Sequence, residues 1–536
     1  MEQILCNGKF VTLEDEGIVA ALLVRDGRIA ALGSLEEVQR QAASGTPSLD
    51  LQGATVLPGI VDSHNHIINA GEAMGGVLLF GARNINEAKE LISAKAAQLP
   101  PGAWLVGAGW IESQFAENRP LTLMELDQAS PQNPIILDRL FGGSLVNSRA
   151  LELAGIRRGS GQPARGEIVR DRNGYPTGYL KNGAQSLVEK VMPGNTGASD
   201  ALWEDQQSIM RATKEYLRYG ITTIIEPGVT PRGMKAFQLT RQQGHLPLRV
   251  VMMPDWYGLN ASHEQDLANL VSQLGIFEGF GDHWLRLGAL KMAIDGGVGS
   301  KTALMNEPWR DGTRSQIPLR LDTSKLETYF TEGHRAGWSI GIHCCGDKAQ
   351  DLALAAFTKT IDAAERPHRH HIIHGYFPTP QALEIMAKYQ IGVSVQPGFI
   401  FVEGDIYEDN LVKEKVDTFK PLKTYLKQGI RVFANSDMTS AHYNPFLGIY
   451  SAVTRRTSQG KQLGDAECLT IAEALPLFIK NGAYYCGLED VVGSLKVGKQ
   501  ADLAVLDRDI LTIPVEEIRE VKVTRTYIAG REVYRA

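Results

Sequence analysis

The chain has 536 residues, with 55 basic and 61 acidic side chains, and 43% of its residues are hydrophobic. That is the composition of a soluble globular protein long enough for several domains. A formal net charge of −6 supplies no basic field, which argues against nucleic acid or an anionic membrane as a main partner. No apolar run reaches the length of a membrane span. The opening Met-Glu-Gln-Ile-Leu lacks a basic region followed by an apolar stretch, so no secretory signal is expected. Five scattered cysteines with no CxxC pair predict no disulfide framework and point to a reducing cytoplasm.

The first 56 residues read as short strands with polar–apolar alternation, turning at Asn-Gly and Asp-Gly. The final segment, 491–536, reads the same way, so one small β-sandwich domain built from both chain ends is expected. Between them, residues 57–490 have a different rhythm. Eight short apolar runs end in polar residues, and most are followed by a helical pattern: "TVLPGIVDSHNH", "GITTIIEPG", "LPLRVVMMPDW", "LRLGALKMAIDGG", "WSIGIHCCGD", "HHIIHG", "IGVSVQPG" and "IRVFANSD". Eight alternations of this kind predict an α/β fold, a (β/α)8 TIM-like barrel. Residues 70–215 break the rhythm after the first barrel strand and read as an inserted capping domain.

In such a barrel the chemistry sits at the C-terminal ends of the strands. Strand one ends in His64-Asn65-His66, where an i, i+2 spacing would put both imidazoles on one face. Strand four carries Lys291, strand five ends at His343, strand six at His374 and strand eight at Asp437. Imidazole and carboxylate form a donor set for a divalent metal, zinc foremost. Singly these residues have ordinary explanations: satisfied core histidines, a helix N-cap for Asp437, a solvated lysine. Their coincidence at one end of the strands favours a metal site. His374 is preferred to His370 and His371 because it comes last in its run. "DGGVGSKTA" fails as a phosphate loop, since Ser300 stands where glycine is required before the lysine. Cys344 and Cys345 are read as small core residues.

Beyond these positions the chain resembles the amidohydrolase superfamily, in its YtcJ-like, N-substituted formamide deformylase-like branch. The resemblance runs through "LPGIVDSHNH", "GAGWIESQF", "LKMAIDGGVGSKTAL", "IHCCGDKAQDLALAAF", "IIHG", "SVQPG", "NSDMTSAHYNPFLGIYSAVTR" and "GSLKVGKQADLAVLDRD". It implies that His64 and His66 hold a buried metal, that His343 and His374 hold a more exposed one, and that Asp437 ligates the first and faces the attacking water. It implies one or two ions, with Lys291 at the position that a CO2-derived carbamate occupies in binuclear relatives. It implies hydrolysis of a C–N bond in an amide-like small molecule. The same scaffold also serves deamination, ester or lactone opening and isomerisation, and a non-catalytic barrel would lack the ligands retained here. Two segments depart from the branch: "DRLFGGSLVNS" has Gly142 and Gly143 and no histidine, and "GYLKNGA" has Asn182 where glutamate is common.

Metal-activated water would be the nucleophile, with Asp437 and His374 in the reaction centre and Lys301 placed to bind a substrate oxygen. Trp110, Phe141, Trp309, Phe399, Phe401 and Tyr443 are candidate walls for an apolar substrate group, with core packing the alternative for each. Glu226 and Trp256, at the ends of strands two and three, have similar standing. A homodimer is a base-rate expectation.

Overall fold

The computed structural model of the protein describes residues 2–140, 143–163, 166–192, 198–255, 274–315 and 319–536. The chain divides into two compact units: Met1–Asn65, Thr213–Asp437 and Tyr443–Ala536 in one, His66–Ala212 and Met438–His442 in the other.

Both chain ends contribute to one continuous eight-stranded sheet in the first unit. Alternation accounts for its two covered faces. Leu5, Leu22 and Val24 enter one cluster with Leu503 and Val505, whereas Ile4, Cys6, Ala21 and Leu23 enter another with Val38. Val38 is the buried residue of helix Leu35–Gln41, whose start is fixed by a capping box between Ser34 and Glu37. The strands expected to form a sandwich thus share one hydrogen-bonded ladder, because Thr55–Pro58 pairs with the N-terminal strand on one side and with Leu503–Leu506 on the other.

The barrel strands follow in parallel. Ile60–Asp62, Ile221–Val229, Arg249–Pro254 and Leu285–Leu287 form one sheet. Leu290–Ala293, Ile340–Cys344, His371–His374, Gly392–Val395 and Val432–Ala434 form the other. Their residues are almost all buried, as expected of strands covered on both faces. The architecture is TIM-barrel-like. Two expected strands are divided. "TVLPGIV" breaks at Pro58-Gly59, where the chain leaves the outer sheet for the barrel. Proline ends the ladder, and any side chain at 59 would collide with Thr222. The fourth strand breaks at Gly288-Ala289, and a parallel bridge from Asp255 to Lys291 spans the two sheets.

The second unit carries a six-stranded mixed sheet running from Val77–Leu78 through Leu105–Trp110 and Ile135–Arg139 to Glu167–Arg170. Its core includes Leu79, Ile92, Leu105, Trp110, Leu126, Ile135 and Leu137. Among the described residues, no helix is long and apolar enough to cross a membrane.

Candidate metal centre

A buried carboxylate ties the end of the first barrel strand to the end of the eighth. Asp62 accepts from the Ser436 backbone N–H (3.0 Å), the Ser436 hydroxyl (2.6 Å) and Asn65 Nδ2 (2.8 Å). The Tyr216 hydroxyl donates to Asn65 Oδ1 (2.6 Å), and the Asp437 N–H donates to the His64 carbonyl (2.9 Å). Burial pushes the Asp62 carboxyl up to about 6 despite these donors. The clasp sets His64 beside Asp437, with Nε2 and Oδ1 3.7 Å apart. Sequence reasoning passed over Asp62, because a polar residue at a strand end carries no mark of which neighbour it binds.

His64, His66 and Asp437 each offer a ligand atom, and those atoms lie within 4.8 Å of one another. The strand geometry expected to align the two histidines is not how it happens. The strand stops at Asp62, and His66 is the N-cap of helix Ile67–Gly75. A bend, not a pleat, brings the rings together.

A second group comprises His343, Cys345 and His374. His343 Nδ1 and His374 Nε2 face each other at 2.9 Å. Cys345 Sγ lies 3.4 Å from His343 Nε2, so this thiol, read as core from the sequence, belongs to the site. Burial holds the Cys345 thiol well above its usual range, which keeps it neutral while no metal is near. Asp295 Oδ1 lies 3.6 Å from His343 Nε2. The Asp295 carboxylate accepts from the backbone N–H of Cys345 at Oδ1 and from those of Leu304 and Gly346 at Oδ2, and so binds the strand-four loop to the end of strand five. Burial raises its carboxyl to about 7.

Strand alternation alone would send His374 to the same side as His370. His370 is packed between His334 and Phe357, away from the other candidate ligands. A left-handed backbone at His374, φ 82°, re-aims its ring towards His343. Asp437 is also left-handed, φ 49°. Non-glycine residues held in this region cost free energy and cluster at functional sites. His374 Nδ1 donates to Gln396 Oε1 (2.8 Å), which frees Nε2, and burial keeps the ring neutral.

Lys291 is buried, with Nζ 3.4 Å from His64 Nε2. Burial pushes its ammonium down to about 8, against the pull of Asp437.

The remaining expectations separate. Phe399 is stacked near His374, ring centroids 6.4 Å apart. Trp110 does not serve as a pocket wall: it is fully buried in the core of the second unit, stacks on Phe115, and donates Nε1–H to the Leu137 carbonyl. Tyr443 meets Tyr216 and Tyr219 edge to face, and Trp309 is buried within its loop. Phe401 lies against Tyr450. Lys301 donates to Asp311 Oδ2 (2.7 Å), an engagement that the sequence could not show. Glu226 is buried near Tyr216. Phe141, Gly142 and Trp256 lie outside the described residues.

Comparison with known proteins places this geometry. A sequence profile of the amidohydrolase family matches residues 48–534. YtcJ of Bacillus subtilis (strain 168) is 30% identical over 545 aligned positions, covering 100% of this chain and 99% of that protein. The N-substituted formamide deformylase of Arthrobacter pascens is 30% identical over 519 positions, 95% of this chain and 94% of that one. The crystal structure of an uncharacterized metal-dependent hydrolase from Pyrococcus horikoshii OT3 shares the fold, with a TM-score of 0.75 at 24% identity over 96% of this chain and 99% of the other.

Proposed function

Because the chain belongs to the amidohydrolase family and is a metal-dependent hydrolase of C–N bonds, we propose that its substrate is a small N-formyl or N-acyl amine. The observation that carries this reading is the juxtaposition of two imidazole groups around Lys291 and Asp437.

The donor set suits a divalent ion. Neutral imidazoles and a carboxylate are ligands of zinc, the metal we favour. His64, His66 and Asp437 would hold one ion, and His343 and His374 a second where two bind. Lys291, in carbamate form, would supply a further anionic oxygen ligand. A buried amine whose ammonium is pushed down to about 8 is deprotonated more often at neutral pH than an ordinary lysine, and the free lone pair is what reaction with CO2 requires. When bound, the metal supplies hydroxide at neutral pH and a Lewis acid for the carbonyl.

The chain's own residues do the rest. Asp437, buried and left-handed at the end of strand eight, is the group placed to take a proton from water and return it to the leaving nitrogen. Phe399 offers an aromatic face beside His374 to an apolar substituent on the substrate. Lys301 would have to leave Asp311 before it could bind a substrate oxygen.

Asp437→Asn tests the assignment. It keeps a ligating oxygen but accepts no proton at neutral pH. Turnover of the metal-replete variant should fall by about 10²–10⁴, with KM changed less. Near-wild-type turnover would remove the proton shuttle. The chemistry is read by scoring amine, carboxylate and ammonia separately from a panel of N-formyl and N-acyl amines. No amine or carboxylate from this panel, with ammonia released from amino-substituted heterocycles run beside it, would replace this substrate class with a deamination.

A further inference from the structure

Lys420 lies outside every group described so far, and its environment is unusual. The side chain is fully buried. Its Nζ sits 4.0 Å from the centroid of Tyr376, 4.6 Å from Phe399 and 5.6 Å from Phe419, a cage of π faces suited to a cation. Its backbone is left-handed, φ 45°. That conformation is held from two sides: the Lys420 N–H donates to the Tyr376 carbonyl, and the Lys420 carbonyl accepts from the buried Arg455 guanidinium (3.1 Å). A buried lysine on an unfavourable backbone, clamped by a buried arginine, is expensive to keep without a use.

The polar partner of Lys420 shows that use. Nζ donates to Gln396 Oε1 (2.8 Å), the same oxygen that accepts from His374 Nδ1 (2.8 Å). Gln396 Nε2 donates to Asn435 Oδ1 (3.0 Å), and Asn435 Nδ2 donates to the Ser394 hydroxyl (2.9 Å). A hydroxyl, two amides and a neutral imidazole can each reverse donor and acceptor, so this chain has two self-consistent polarities. In one, His374 carries its proton on Nδ1 and presents a bare Nε2. In the other, Nε2 is protonated and cannot ligate. Burial pushes the Lys420 ammonium down to about 7 against the pull of Glu403, and below that pH, where the tautomer is to be read, an ammonium only donates. Two carbonyls also have fixed polarity: Ser394, which accepts from Gln396 Nε2 at a long 3.4 Å, and Gly296, 3.2 Å from His343 Nε2, which through His343 Nδ1 favours a proton on His374 Nε2 and so opposes Lys420.

We propose that Lys420 is a positioning residue that sets the polarity of the Gln396–Asn435–Ser394 chain and thereby holds His374 in the tautomer with Nε2 free. This rests on His374 being a metal ligand, and its test separates the two ideas.

The measurement is the 15N spectrum of histidine-labelled, metal-free enzyme, with His374 assigned by its loss in His374→Gln. Wild type should show Nδ1 protonated and Nε2 bare. A bare Nδ1 in wild type overturns the proposal without any variant. Lys420→Met should give mixed or reversed tautomers, and zinc affinity, titrated against a chromophoric chelator, should fall about 10–100-fold, the usual effect of losing a partner behind a ligand. An unchanged tautomer overturns the proposal. If Lys420→Met does not fold, Lys420→Gln is read in the same way, because its amide can offer either polarity.

Gln396→Glu added to Lys420→Met is the rescue. A carboxylate only accepts, so it should restore Nδ1–H and recover zinc affinity. If Lys420 served packing alone, this second change would restore nothing. A wild type that takes up no zinc would sink the metal-site reading, while the tautomer ratio still decides the role of Lys420.

Discussion

Trp110 and Phe399 show how two aromatic side chains with the same standing in the sequence diverge once folded. Trp110 packs among Leu105, Leu126 and Ile135, and its N–H is spent on a backbone carbonyl. Trp110→Ala should therefore destabilise the second unit by about 3–5 kcal/mol, measured by chemical denaturation. Phe399 lies beside His374 and the Lys420 cation. Phe399→Ala should raise KM for substrates with an apolar N-substituent about ten-fold, with kcat changed less, because the lost contact is equal in ground and transition states. An unchanged KM would assign Phe399 to packing. Nothing in the local sequence separates the two residues, since aromatic character reports burial and not what is buried against it.

At the scale of an element, the sixth barrel strand carries an acid-sensitive position. His371 points into the barrel core against Phe433 and Tyr485, and its ring is driven by burial from 6.5 down to about 4. The unfolded chain takes up that proton near pH 6.5 and the folded chain does not. The stability tied to the neutral ring is thus complete above about pH 6.5 and is lost progressively as pH falls towards 4. A shift of this size is worth ~3 kcal/mol at the acid end. Urea denaturation at pH 7 and pH 4.5 should show the loss, and His371→Phe should reduce it. The strand itself was legible in "HHIIHG". Its facing was legible only in part, because the left-handed turn at His374 overrides the alternation that places His370 and His371.

For the whole molecule, one buried ion pair joins the outer sheet of the first unit to its barrel. Arg249, at the start of the third barrel strand, makes two bonds to Asp502 at 2.9 and 3.0 Å, and the Trp284 ring lies 4.3 Å from its guanidinium carbon. Asp502 also accepts the Ala529 N–H, so the residue pins both C-terminal strands. Removing either partner leaves a buried charge. Arg249→Ala or Asp502→Ala should cost about 3–5 kcal/mol in denaturant unfolding, whereas replacing both together should cost less than the sum. Additive losses would mean the two charges act separately.

Strand–helix rhythm, the polar residues that end the strands and the segments shared with the family were present in the sequence, because each follows from local periodicity or from short contiguous runs. That sufficed for a TIM-barrel-like metal-dependent hydrolase of C–N bonds. The clasp of Asp62 on Ser436, the pairing of His343 with His374, the place of Cys345, the engagement of Lys301 by Asp311 and the bond from Lys420 to Gln396 were decided only by tertiary structure. Each depends on where a side chain ends after the chain has closed on itself, and on backbone angles that left-handed residues such as His374, Lys420 and Asp437 adopt against their own preference. Hydrogen-bond direction is set by the partner, and for contacts between strand ends tens to hundreds of residues apart the partner is not written beside the residue that needs it.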